Sequence, residues 1–154
     1  MGKISPDCFL QDGVVPRSQL AYTLQQIDRL AQDYGFRIAN LFHAGDGNLH
    51  PVILYDGKVE GAFHKVEELG GEILKLCVEV GGSISGEHGI GSDKKCYMSD
   101  MFSSADLETM QYVKTSFNPQ GLANPTKIFP TPRTCGETMN INQNQINNKD
   151  IQVF

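Results

Sequence analysis

Apolar residues recur every three or four positions in two stretches of the chain, which is the spacing of an amphipathic helix. In the first stretch the recurring residues are Leu20, Leu24, Ile27, Leu30 and Ala31. The second stretch spans residues 59–80, and its apolar positions are Phe63, Val66, Leu69, Ile73, Leu76, Cys77 and Val80. Gly35 follows the first stretch and Gly81 the second, where glycine commonly ends a helix. The pattern therefore predicts two helices that each bury one face.

Two apolar runs of strand length, residues 38–42 and 52–55, lie between these helices. Their connection contains Gly45, Asp46 and Gly47, which are residues that favour sharp turns. We therefore expect a β-hairpin or a tight strand–loop–strand unit here.

Shorter apolar segments flank the two helices. Residues 8–10 and 13–15 predict a short strand before the first helix, and residues 83–85 predict an extended piece after the second. The order strand–helix–strand–strand–helix–strand predicts an α+β fold with an antiparallel sheet and helices packed on one face. This is close to the ferredoxin-like split βαβ arrangement.

The C-terminal third of the chain changes character. Residues 94–101 and 105–117 predict two further helices, and the sequence beyond them becomes polar and rich in asparagine and glutamine. We therefore expect a domain over residues 1–133 and a disordered tail over residues 134–154.

Composition and charge narrow the class of protein. The 154 residues are 40% hydrophobic and 20% charged, which suits one globular domain with its own core. A net charge of −5 and the lack of a basic run argue against binding to nucleic acid. No apolar run has the length of a membrane span. The four cysteines are scattered without a CxxC pair, so we expect reduced thiols in a cytoplasmic protein.

Histidines stand at both ends of the hairpin connection, His43 and His50. The glycines between them let the backbone bend sharply, so both imidazoles can point at one spot. Glu87, in a second glycine-rich loop, offers a third ligand. Two imidazoles and one carboxylate are a metal-binding set that leaves positions open for a substrate. The alternative is that the hairpin residues serve only the turn and that the second loop is conformational or binds an anion.

His88 follows Glu87 directly, and adjacent side chains in an extended backbone point to opposite sides. This predicts a division of labour in which Glu87 is a ligand and His88 accepts a proton. Asp46 is either an acceptor for the second ring N–H of a ligand histidine or a turn residue. His64 lies in a predicted helix among polar neighbours, so we expect it at the surface.

Four motifs together resemble one family. They are QDGVVPR at residues 11–17, HAGDGNLHP at 43–51, SGEHGIG at 85–91 and NPTKIFP at 124–130. With their spacing they resemble the C-terminal domain of FAD-linked oxidases and dehydrogenases of 2-hydroxy acids. That family includes the glycolate oxidase flavin subunit and D-lactate dehydrogenase.

The resemblance implies roles for particular residues. His43, His50 and Glu87 would hold a divalent metal, and His88 would be the general base. Two imidazole ligands favour Zn, Mn or Fe over Mg. Asn124 would approach the flavin of FAD, although by itself its segment is more simply interpreted as a loop that closes the domain.

The implied function is oxidation of a small 2-hydroxy acid, with FAD held by a separate FAD-binding domain or subunit. Some relatives carry a lysine that helps bind a dicarboxylate where this chain has Leu10, so we do not expect a large dicarboxylic acid. Because the sequence lacks the FAD-binding domain and the first portion of the C-terminal domain, we expect the chain alone to be inactive. A sheet that has lost strands exposes its edges, which can drive formation of a homodimer. The alternatives are a stand-alone metal-binding or regulatory module and a small metallohydrolase.

Overall fold

The computed structural model describes residues 2–130 of the chain. The predicted tail, residues 134–154, and the last residues of the predicted domain lie outside the described residues. The helices and strands are β1 (Asp7–Leu10), β2 (Gly13–Val14), α1 (Leu20–Tyr34), β3 (Arg37–His43), β4 (Asn48–Tyr55), α2 (Ala62–Glu79), α3 (Met98–Met101) and α4 (Ser104–Phe117). Single 3-10 turns, Arg17–Gln19 and Lys95–Tyr97, precede α1 and α3. No helix in this described part is long and apolar enough to span a membrane.

Strand β4 is the centre of the antiparallel sheet. On one side it pairs with β3, where His43 lies opposite Asn48. On the other side it pairs with β1 and then with β2, so these two short strands form one interrupted edge. Val14 of β2 bridges Ser83 in antiparallel orientation, which adds the segment after α2 beyond that edge. The α+β fold with ferredoxin-like order is therefore confirmed.

Helices α1 and α2 cover one face of the sheet. The buried core there consists of Val15, Ile27, Leu49, Ile53, Val66, Leu69, Ile73 and Cys77. Its helical members belong to the predicted apolar stripes, so each helix buries the face that the sequence indicates. A second cluster attaches α3 and α4 to α2, and its buried members are Leu74, Ile84, Met98 and Leu107.

The opposite face of the sheet carries the histidines. Successive residues of a strand point to alternate faces, so His50 and Val52 point away from the core residues of β4. Leu41, the cross-strand partner of His50, is 53% exposed, and Leu10, the partner of Val52, is 47% exposed. The face that α1 and α2 leave uncovered thus presents both apolar side chains and imidazoles.

The cysteines differ from the prediction in one respect. Cys8 and Cys77 are free thiols, and Cys77 is buried in the core. Cys96, however, is disulfide-bonded. The expectation that every cysteine is reduced is therefore wrong, because a disulfide requires proximity in space and not a CxxC spacing.

The bridge between Val14 and Ser83 depends on a close approach of the backbone at Gly82. A Cβ atom on Gly82 would overlap the carbonyl oxygen of Val14 and lie 2.7 Å from that of Cys77. We expect Gly82→Ala to lower the free energy of unfolding by about 1–3 kcal/mol, as overpacking does elsewhere. Urea denaturation measures this change. Gly45→Ala is the control, because nothing lies within 4 Å of a Cβ there. Equal stability of the two variants would contradict the predicted overlap.

Candidate metal centre

The β3–β4 hairpin places two imidazoles on the same face of the sheet. In its turn, the N–H of Gly47 donates to the carbonyl oxygen of His43 at 2.9 Å, and the N–H of Asn48 donates to the carboxylate of Asp46 at 3.1 Å. His43 pairs with Asn48, and His50 lies two residues further along β4. The ring centroids of His43 and His50 are consequently 5.4 Å apart. Asp46 is a turn residue, the second of the two interpretations given above.

Glu87 completes the cluster from the loop that follows α2. Its Oε1 lies 3.4 Å from Nε2 of His43, and its Oε2 lies 3.7 Å from Nε2 of His50. Ligand atoms of the three residues all lie within 4.8 Å of one another. Ligands that share one cation at about 2.0–2.2 Å lie about 3–3.5 Å apart, so this donor set fits a single divalent metal. Because Glu87 and His43 are exposed, the cluster is open to solvent on one side.

The buried carboxylate of Asp12 holds the loop that carries Glu87. Its Oδ2 accepts hydrogen bonds from the Ser85 hydroxyl at 2.8 Å and from the N–H groups of Gly86 and His88 at 3.0 Å. The N–H of Glu87 lies 3.2 Å from both carboxylate oxygens. Four consecutive loop residues therefore direct donors at one anion, which fixes the backbone on both sides of Glu87.

Lys94 supplies the countercharge of Asp12 inside the protein. Its buried ammonium lies 3.2 Å from Oδ2 of Asp12 and donates to the carbonyl oxygens of Asp12 and Ile84. Burial by itself would raise the pKa of Asp12, but the Ser85 hydroxyl, the loop N–H groups and Lys94 outweigh it and hold that pKa far below its usual value. Burial lowers the pKa of Lys94, and Asp12 opposes that change. Asp12 is therefore ionised at neutral pH and committed to the loop.

His88 reaches the cluster through its ring. The side chain is exposed and stacks on the imidazole of His50, with centroids 5.1 Å apart and an angle of 22° between the planes. Ligand atoms of Asp12, His50 and His88 also lie within 4.8 Å of one another, which makes a second possible metal set. In that set, however, the Asp12 carboxylate already accepts the loop donors. The adjacent residues Glu87 and His88 thus both reach His50, one through its carboxylate and the other through its ring.

Asn124 is not part of this cluster. It lies exposed after α4 with a φ of 47°, and its carbonyl oxygen accepts a hydrogen bond from the Lys114 ammonium at 3.1 Å. Its segment is nevertheless attached to the loop of Glu87, because the N–H of Ile128 donates to the carbonyl oxygen of Gly91 at 2.8 Å.

Sequence reasoning overlooked three residues of the site. Asp12 interrupts the first predicted strand, and a charged residue at that position is the signal that could have identified it. Lys94 gave no signal, because its partner Asp12 is 82 positions away in the chain. Asn48 has the residue type of a turn, yet it is 3% exposed, and neither polar atom of its amide has a hydrogen-bond partner among the described residues.

The ion pair of Asp12 and Lys94 leads to a prediction about stability. Lys94→Met leaves the carboxylate buried without its countercharge, so we expect the free energy of unfolding at pH 7 to fall by about 3–5 kcal/mol. The matched control is Lys95→Met, the same change at a half-buried neighbour, which we expect to have a small effect.

The pH dependence of this difference follows from the low pKa of Asp12. Because its folded pKa lies below the unfolded value of about 3.9, its stabilisation is fully present above pH 4 and is lost as the pH falls through the folded value. In Lys94→Met the buried carboxylate has lost its countercharge, so in the folded state it takes up a proton at a higher pH than Asp12 does in the unchanged chain. The difference in stability between Lys94→Met and the unchanged chain should therefore shrink as the pH falls from 7 to 3. Urea denaturation across that range measures it, and a difference that is the same at pH 7 and pH 3 would contradict the assignment.

Comparisons with known proteins relate the chain to glycolate oxidase and D-lactate dehydrogenase. Glycolate oxidase subunit GlcD of Escherichia coli (strain K12) is 54% identical over 137 residues, which cover 89% of this chain and 28% of that protein. GlcD of Bacillus subtilis is 35% identical over 84% of this chain and 27% of that protein. D-lactate dehydrogenase of Archaeoglobus fulgidus is 36% identical over 76% of this chain and 26% of that protein. The chain thus spans about a quarter of the length of these relatives. Residues 1–128 match the family described as FAD linked oxidases, C-terminal domain, and the chain belongs to that family.

Proposed function

We propose that this chain contributes the metal site and the general base to a flavin-dependent dehydrogenase of a small 2-hydroxy acid. The observation that carries the proposal is the convergence of His43, His50 and Glu87 within 4.8 Å, with the ring of His88 stacked beside them. The names of the relatives, glycolate oxidase and D-lactate dehydrogenase, support this class of substrate.

Each residue of the cluster has its own task. His43, His50 and Glu87 would hold a divalent Zn, Mn or Fe ion, which when bound supplies Lewis-acid activation of the substrate hydroxyl. Glu87 brings the negative charge that offsets the cation. His88 accepts the hydroxyl proton at a ring nitrogen, and its stacking on His50 keeps that ring beside the cluster. FAD supplies the acceptor for the hydride.

A partner that holds FAD would bind to the uncovered face of the sheet. Leu10 and Leu41 are exposed on the face that carries His50, so a domain that covers them would also shield the cluster from water. We assign this position to an FAD-binding domain or subunit, with Asn124 as the residue of the C-terminal segment that approaches the flavin. The apolar Leu10 offers no cation for a second carboxylate, which favours a small monocarboxylic acid. Without that domain, a homodimer can form through an exposed edge of the sheet.

The first prediction from this proposal concerns metal binding by the chain alone. After removal of metal with a chelator, titration with Zn or Mn should give one ion per chain, because the three ligand atoms are already close together. We expect the double variant His43→Ala, His50→Ala to bind none at that site. His64→Ala is the control, since His64 is exposed and pairs with Glu68 on α2 at 3.3 Å. Full occupancy in the double variant would remove the site as proposed.

The second prediction separates the general base from the neighbouring ligand. It uses a chimera in which this chain replaces the matching 28% of the Escherichia coli relative, so that an FAD-binding part is present. We expect His88→Ala to retain the metal and lose about 10²–10⁴-fold in turnover of glycolate or D-lactate, as loss of a general base does. Glu87→Ala should lose metal and turnover together, and Glu87→Gln should show a milder form of the same loss.

Metal content and turnover are measured on the same preparations. If His88→Ala loses the metal while Glu87→Ala keeps it, the two roles are reversed. If neither change affects turnover, the loop does not take part in the reaction. A chimera that binds metal but oxidises neither acid would favour a metal-binding or regulatory module.

A further inference from the structure

The proposed metal cluster uses one ring nitrogen of His50 and leaves the other without a role. Its Nε2 faces the carboxylate of Glu87 at 3.7 Å. Its Nδ1, in contrast, is buried and has no hydrogen-bond partner among the described residues. Buried polar atoms nearly always have a hydrogen-bond partner, so we expect Nδ1 of His50 to have one. Oδ1 of Asp12 lies 4.0 Å from it.

The two oxygens of Asp12 are not equally engaged. Oδ2 accepts hydrogen bonds from the Ser85 hydroxyl, from loop N–H groups and from the Lys94 ammonium. Among the described residues, Oδ1 accepts only the N–H of Glu87, at 3.2 Å, and shares that donor with Oδ2. A carboxylate oxygen has two acceptor positions, so Oδ1 retains one. The unused acceptor of Asp12 and the unpaired nitrogen of His50 therefore belong to buried groups that are already neighbours.

We propose that Asp12 is a positioning residue for His50 as well as for the loop of Glu87. Oδ1 of Asp12 accepts the Nδ1–H of neutral His50, and this tautomer leaves the lone pair of Nε2 available to the cation. The inference rests on the proposed metal site. The distance of 4.0 Å exceeds that of a hydrogen bond, so the proposal requires the ring of His50 to move toward Oδ1. A carboxylate that accepts the second ring N–H fixes the orientation of a ligand histidine and raises its basicity.

One buried carboxylate then arranges two of the three ligands. Asp12 fixes the backbone of Glu87 through the loop and the tautomer of His50 through Oδ1. The competing metal set of Asp12, His50 and His88 requires the opposite state of the ring, because there the nitrogen that faces Asp12 binds the cation and the proton sits on Nε2. The tautomer of His50 therefore distinguishes the two arrangements.

The test is the tautomer of His50 in the metal-free chain. Long-range ¹H–¹⁵N correlations of the ¹⁵N-labelled protein report it at a pH of about 8.5, well above the ordinary imidazole pKa of about 6.5. We expect Nδ1–H at His50. His64 is the internal reference, because its Nε2 faces an exposed carboxylate, that of Glu68 at 3.3 Å, just as Nε2 of His50 faces the exposed Glu87 at 3.7 Å. Only His50 also has a buried carboxylate, that of Asp12, beside its Nδ1, so a difference in tautomer between the two rings reports the effect of Asp12. Nε2–H at His50 would overturn the proposal. This measurement needs no substitution, so it holds even if a variant fails to fold.

Substitutions test whether Asp12 determines the tautomer of His50. In Asp12→Asn the single amide oxygen faces the loop donors that now contact Oδ2, so the NH₂ group faces Nδ1 of His50. We expect the tautomer to switch to Nε2–H and the affinity for Zn or Mn to fall by about 10–100-fold. Asp56→Asn is the matched control, because Asp56 lies in the turn after β4, away from the cluster, where its carboxylate accepts the N–H of Lys58 at 2.9 Å. It should keep both the tautomer and the affinity.

Ser85→Ala tests whether the tautomer merely reports the folding of the loop. This change removes one donor from Oδ2 of Asp12 and leaves Oδ1 untouched, so His50 should remain Nδ1–H. A tautomer that switches in Ser85→Ala as it does in Asp12→Asn would overturn the proposal, as would a folded Asp12→Asn variant that keeps Nδ1–H.

Failure of this inference and failure of the metal site give different results. If the chain binds the metal through His43, His50 and Glu87 but His50 carries Nε2–H in the metal-free state, Asp12 does not position His50, and the metal site itself is unaffected. If His50 carries Nδ1–H but the chain binds no metal, the contact between Asp12 and His50 is supported and the proposed function is wrong.

Discussion

The buried carboxylate of Asp12 is the interaction on which the rest of the site depends. A carboxylate in a protein interior is stable as an anion only if donors and a countercharge replace the water it has lost. Here the loop N–H groups, the Ser85 hydroxyl and Lys94 do so. The same contacts connect the edge of the sheet, the loop after α2 and the segment that begins the C-terminal helices. The backbone at Glu87 is therefore held in place by contacts within the chain.

Strand β4 joins the core and the site in one element. Leu49 and Ile53 point into the core under α1 and α2, and His50, between them, points to the other face. A slip of the β3–β4 register by one residue would turn His50 toward the core and the apolar residues toward solvent. The hydrophobic core therefore also determines where the imidazoles lie, and the turn formed by Asp46 and Gly47 sets their separation.

The cluster is buried on one side and open to solvent on the other. His50, on β4, is buried near Asp12, whereas His43, Glu87 and His88 are exposed. In the proposed enzyme the exposed side of the cluster would face the substrate and the FAD-binding partner. The exposed Leu10 and Leu41 on the same face are the apolar surface that such a partner would cover. The chain would then supply the ligands and the base, and its partner the flavin.

The sequence by itself determined those features that depend on local order along the chain. Apolar spacing identified the helices, the glycine-rich turn identified the hairpin, and residue type identified His43, His50 and Glu87 as possible ligands.

The sequence did not indicate the buried ion pair of Asp12 and Lys94, because the two residues are 82 positions apart and only the folded sheet brings them together. Cys96 shows the same limit, since its disulfide depends on distance in space. Asp46 is near the histidines in sequence but bonds to its own turn, whereas Asp12 is distant in sequence but lies beside His50. Tertiary structure decided this because electrostatic and hydrogen-bonding contacts act over a few ångströms of space, whatever the length of chain between the partners.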